Sequence, residues 1–127
     1  METRIDRDKF SIHLYPNGIT ELVLHDHVII ELSDSREQEK ILKEYMPEEG
    51  HLYLIVSGIG TNITREAREY AHSNPLKGKK MAILTRSLPQ KVIANLMITI
   101  YRKLHPNYPI KLFLKKENAE RWLLSPI

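Results

Sequence analysis

The sequence has no cysteine. Disulfides, thiolate metal ligands and cysteine nucleophiles are therefore excluded together. Aromatic residues make up only 7%. They are not interleaved with basic residues as single-stranded nucleic acid requires, so nucleic acid is not an expected partner. No apolar run approaches the roughly 20 residues of a membrane-spanning helix. The opening METRIDRDKFSIHLY lacks the apolar segment of a secretory signal. These absences lead to the expectation of a cytoplasmic protein of bacterial type.

What is present suits a single domain over residues 1–127. A chain of this length buries roughly two-thirds of its unfolded surface, enough to fold without a disulfide or a metal. The net charge of +3 conceals a gradient. Residues 1–63 carry six Lys/Arg against twelve Asp/Glu, and residues 64–127 carry thirteen against four. The basic half suits an anionic partner, and the resulting dipole also suits self-association.

Hydrophobic periodicity orders the chain. FSIHLYPNGITELVLH reads as a hairpin, with alternating apolar residues on both sides of a Pro-Asn-Gly turn. VIIEL (28–32) is a short extended run. The next segment predicts a helix capped by Ser35 and Gln38 at capping-box spacing, with Ser33 and Asp34 as competing caps. Its apolar face is Ile41, Leu42, Tyr45 and Met46, and Pro47 ends it. HLYLIVSG (51–58) has the continuous apolar character of a strand buried on both faces. A second helix starts near Thr64, carries Ala67, Tyr70 and Ala71 on one side, and stops at Ser73-Asn74-Pro75. MAILTRS (81–87) is another central strand. Pro89 opens the longest helix, whose main stripe is Val92, Ile93, Leu96, Met97, Ile100, Tyr101 and Leu104. This stripe is expected on the sheet, leaving Ala94 and Ile98 opposite it for a second subunit or an apolar ligand. A strand over 109–114 and a helix with Ala119, Trp122 and Leu123 inward complete the chain. An N-terminal β-hairpin followed by four βα units predicts an α/β fold: a mainly parallel mixed sheet with helices packed on it.

The segments LYLIVSGIGTNITREAREYA and KMAILTRSLPQKVIANLMITIYRKLHPNYPIKLFLKKENAERWL, in this order of elements, resemble the STAS domains. That is the SpoIIAA-like fold of bacterial anti-sigma-factor antagonists, with relatives in the SEC14-like group. The resemblance covers roughly residues 19–125. In the antagonists, a serine at the helix start after this central strand is phosphorylated by a partner kinase. Laid on that pattern, Ile63 stands where an aspartate would be and Thr64 near the phosphoacceptor, with Arg65-Glu66 replacing a small Ser-Gly pair.

The turn VSGIGTNITREAR offers three chemistries. A P-loop needs a lysine after its second glycine, and a dinucleotide fingerprint needs a third glycine where Ile63 stands. Neither is met. What remains is a candidate switch or anion-binding turn made of Gly58, Gly60, Thr61, Thr64, Arg65 and Arg68, at a helix start that favours negative charge. The alternative is a capped turn in which Thr64 accepts from backbone N–H groups and both arginines pair with Glu66 and Glu69.

His25 and His27 stand two apart, a strand spacing that shares a face, but the other histidines add no complementary ligand spacing. Ser57 and Ser87 sit in no nucleophile elbow. The carboxylates Asp34, Glu37, Glu39, Glu44, Glu48 and Glu49 fall on a helix and its exit. No acid/base pair stands out, so the expectation is a non-enzymatic domain without cofactor. It is expected to act as a protein-interaction or regulatory module and to form a homodimer. The alternative is a SEC14-like binder of a small apolar or lipid ligand.

Overall fold

The computed structural model describes residues 2–48, 50–74 and 78–126. Pro75, the expected stop of the second helix, and Glu49 lie outside the described residues.

Three antiparallel strands open the chain: β1 (Thr3–Asp6), β2 (Phe10–Leu14) and β3 (Ile19–Leu24). Sequence reading gives the β2–β3 hairpin, whose turn is pinned by the Asn17 side chain accepting the Ile19 N–H at 3.1 Å. It misses β1, because TRID offers a single apolar residue. β5 (His51–Val56), β7 (Gly78–Leu84) and β8 (Ile110–Phe113) then add in parallel to β3, giving the order β1-β2-β3-β5-β7-β8. One aliphatic row crosses all six strands in register: Ile5, Ile12, Leu22, Ile55, Ile83 and Leu112. The mainly parallel mixed sheet expected from the alternation is the observed one.

The extended run VIIEL contributes two residues, β4 (Ile29–Ile30), which pair with β6 (Asn62–Ile63) outside the main sheet. The first helix, α1 (Leu32–Glu44), therefore starts earlier than the capping pattern suggests. Its cap is not Ser35 with Gln38. The Asp34 carboxylate accepts the Glu31 backbone N–H at 2.9 Å, the reciprocal half of a capping box placed one turn upstream. Tyr45 and Met46 fall beyond the helix, so its buried apolar residues are Ile41 and Leu42. α2 (Arg65–Ser73), α3 (Leu88–Leu104) and α4 (Lys116–Leu124) follow.

α4 packs on one face of the sheet, where Ala119 and Leu123 meet Leu54, Val56, Ala82 and Leu84. Trp122 is half-buried against Phe113, at 5.6 Å between ring centroids. The other face carries Leu22, Leu24, Tyr53 and Ile83 toward α1, α2 and α3.

α3 is rotated from its expected orientation. Its buried residues are Gln90, Ala94, Ile98 and Tyr101. Of the larger stripe, Val92, Ile93, Leu96, Ile100 and Leu104 are exposed, Leu96 at 59% against 4% for Ile98. The helix is apolar on two faces, so periodicity alone does not choose between them. The smaller face docks because Ala94 allows a close approach to the sheet. Two contacts then fix it: the Arg102 guanidinium donates to the Ile110 carbonyl at 2.9 Å, and Tyr101 meets Tyr108 edge-on at 5.4 Å.

Candidate functional site

The turn after β5 passes against the end of β3. A Cβ on Gly58 would stand 2.5 Å from the carbonyl carbon and oxygen of His25 and from the Leu24 oxygen, so only glycine fits. Gly60 adopts φ +68, and a side chain there would also meet the His27 ring. The two glycines thus serve a backbone crossing. The crossing is laced by hydrogen bonds to segment 25–30. The Ile59 N–H donates to the Asp26 carboxylate at 2.7 Å, and the N–H groups of Asn62 and Thr64 donate to the carbonyls of Val28 and Ile30. The Thr61 hydroxyl donates to the His25 carbonyl. Thr64 accepts the Ala67 N–H at 3.2 Å and caps α2.

The two arginines of the candidate turn separate. Arg65 lies on the surface and pairs with Glu69 at 3.0 Å. Arg68 is half-buried, and its guanidinium makes no hydrogen bond or ion pair among the described residues. His25 and His27 do not converge. The His25 ring contacts Ser11 and the Asp8 carbonyl, each at 2.9 Å, and His27 sits in a left-handed turn at φ 55. Asp26 between them also accepts from Arg86 at 3.3 Å. Among the described residues no group of three or more His, Asp or Glu side chains is placed to hold a metal.

Between the sheet and the α1–α3 layer lies a cavity of about 190 Å³. Leu22, Tyr53, Ile55, Met81 and Ile83 form its floor, and Leu42, Ala67, Met97 and Tyr101 belong to its walls and roof. It exists because α2 turns one alanine, Ala67, fully inward. Polar groups gather on its α1–α2 side. The Tyr70 hydroxyl donates to the Glu39 carboxylate at 2.7 Å, which raises the pKa of the phenol. Gln38 Nε2 and His72 Nδ1 are buried and have no partner among the described residues. Burial holds the His72 pKa below the ordinary histidine value.

A second cavity of about 110 Å³ adjoins the first and shares Leu24, Ile55, Ile63, Arg68, Ile83 and Met97 with it. It opens at the carboxyl ends of β5 and β7, where ligands of open parallel sheets gather. Ser57, Thr61, Asn62 and Gln90 add polar groups to its wall. Of the candidate turn residues, Thr61 and Arg68 face this space. Gln90 escapes sequence reading, because a glutamine after Pro89 in a helix first turn looks like any solvated one.

A solved structure of an uncharacterized protein from the DUF3478 family with a SpoIIAA-like fold, from Shewanella loihica PV-4, matches with a TM-score of 0.59. The match covers 97% of this chain and 92% of that chain at 12% sequence identity, a likeness of fold. This is the fold that the resemblance in the sequence implies. Among curated proteins, none matches this chain. Across residues 12–126, nearly the whole length, the sequence fits the pattern of a domain of unknown function, DUF7793, and the chain belongs to that family.

Proposed function

We propose that this chain is a single, non-enzymatic SpoIIAA-like domain that binds a small apolar ligand between its sheet and the α1–α3 layer. One observation carries the reading: the 190 Å³ cavity is floored by the apolar side chains of β3, β5 and β7 and covered by Leu42, Ala67, Met97 and Tyr101 of three helices, with its polar groups gathered on one side. Small-molecule sites are concave, mostly apolar and furnished with a few polar groups. The test is native mass spectrometry of the purified protein together with titration by the neutral probe N-phenyl-1-naphthylamine. The wild-type protein is expected to carry a ligand or to bind the probe at one equivalent. Ala71→Trp, an exposed change at the cavity wall, is expected to weaken probe binding without lowering the melting temperature. A clean apo mass together with no probe binding refutes the reading.

A specific observation favours a second reading, the homodimer, with a regulatory role through protein contacts. Val92, Ile93, Leu96, Ile100 and Leu104 lie on the outward side of α3. At these exposures they present on the order of 400 Å² of apolar surface, the size of the largest patch on a typical monomer, which is often functional. Pairing two copies along this helix removes roughly 1,000 Å² once flanking residues are included, the lower bound of a specific interface. Light scattering on the purified protein tests it, and a monomer at all concentrations refutes it.

A further inference from the structure

We infer that the second cavity is the head-group end of the ligand site, and that it selects an apolar ligand ending in a carboxylate. The inference rests on the cavity reading above and adds the chemistry of the ligand to it.

Gln90 carries the argument. The residue is 8% exposed, it lines the cavity, and neither Nε2 nor Oε1 has a partner among the described residues. Leaving a buried amide without hydrogen bonds costs folding free energy, so a site that retains one has a use for it. Arg68 is the second, independent group. It lines both cavities, and its guanidinium has no ion-pair partner among the described residues. A half-buried cation and an unpaired amide donor on the same small cavity match an oxyanion, since a carboxylate accepts charge-assisted hydrogen bonds from both. Gln90 Oε1 remains free to accept from the guanidinium or from a donor beside the carboxylate. The apolar part of the ligand then runs into the larger cavity, across the shared side chains Ile55, Ile83 and Met97. The two spaces together are on the order of 300 Å³, the small end of ligand sites, which suits a short-chain or medium-chain acid.

The experiment compares octanoate with 1-octanol at neutral pH, by calorimetric titration and by NMR of the ¹⁵N-labelled full chain. Octanoate is expected to bind at least tenfold more tightly than 1-octanol. It is also expected to shift the Gln90 side-chain amide signals and the Arg68 Nε signal. Arg68→Met is expected to abolish the preference, and Gln90→Leu to reduce it several-fold, with 1-octanol affinity retained in both. Equal affinity of the wild-type protein for the two ligands overturns the head-group assignment and leaves the cavity reading standing. So does an octanoate preference that survives Arg68→Met. Binding of neither ligand overturns both. The wild-type comparison needs no variant to fold.

Discussion

Lys80 Nζ donates to three acceptors at the end of α4: the Ser125 carbonyl at 2.8 Å, the Ser125 hydroxyl at 2.9 Å and the Trp122 carbonyl at 2.7 Å. Lys80 is 3% exposed, and its ammonium also lies 5.1 Å from the Trp122 ring centroid. A buried cation is thus compensated by the carbonyls that a helix leaves open at its C-terminus. Lys80→Met removes the charge-assisted donor from those carbonyls and is expected to cost about 2–3 kcal/mol. Urea unfolding followed by the fluorescence of Trp122, the sole tryptophan, measures it and reports the local contact as well.

His51 makes stability depend on pH. Its Nε2 lies 2.8 Å from the Leu42 carbonyl, an acceptor only, so Nε2 carries the proton and Nδ1 accepts from the Thr20 hydroxyl at 2.7 Å. Burial lowers its pKa below the ordinary 6.5. The unfolded chain therefore takes up a proton at a higher pH than the folded one does. The stability contribution is complete above pH 6.5 and declines as pH falls from there toward the folded-state pKa. Urea midpoints measured from pH 7.5 down to pH 5 are expected to fall in that window. His51→Gln is expected to flatten the decline.

The turn after β5 is expected to be intolerant at its glycines and ordinary at its cap. Gly58→Ala drives a Cβ into rigid backbone and is expected to destabilise by about 2 kcal/mol or more. Gly60→Ala forces a left-handed conformation and is expected to cost about 1–2 kcal/mol. Thr64→Ala removes the cap, for about 1 kcal/mol and faster amide exchange in the first turn of α2. Thr64→Ser restores both, because the hydroxyl alone makes the contact. Phosphorylation at Thr61 or Thr64 is read directly by phosphopeptide mass spectrometry. Modification at either site would assign the turn a switch role in addition to its structural one.

The two faces of α3 are separable by mutation. Ile98→Ala opens a hole in the packed interior and is expected to cost about 2–4 kcal/mol. Leu96→Glu, on the outward face, is expected to change stability by less than about 1 kcal/mol. If the homodimer forms through that face, the same substitution yields a monomer by light scattering. A large destabilisation from Leu96→Glu with none from Ile98→Ala would mean that the helix docks the other way round.

Much of the fold is legible in the chain, and particular residues show where legibility stops. Alternation marks β2 and β3, continuous apolar runs mark β5 and β7, and Thr64 marks the start of α2. β4 is legible only as the extended run VIIEL, while β6 and its pairing with β4 are not, since two residues carry no period and the pairing joins segments over 30 positions apart. The α1 cap is misplaced because Ser33, Asp34 and Ser35 all have capping chemistry, and the contest is settled by where β4 ends. The candidate site divides in the same way. The turn residues Gly58, Gly60, Thr61, Thr64, Arg65 and Arg68 are visible in one stretch, but that Arg68 turns inward while Arg65 stays in water depends on the packing of α2.

The succession of the main strands and helices, the parallel sheet and the glycine-bearing turn can be read from the chain alone, because they follow from local conformation and from periods of two and 3.6 residues. Which face of α3 meets the sheet, and which side chains line the space beneath it, depends on long-range packing. Two apolar faces on one helix are equivalent to a periodicity. They cease to be equivalent when the helix must approach a sheet, where Ala94 and Ile98 allow the contact and Leu96 and Ile100 remain outside. That choice buried the amide of Gln90 at the edge of a cavity and left an apolar ridge in solvent.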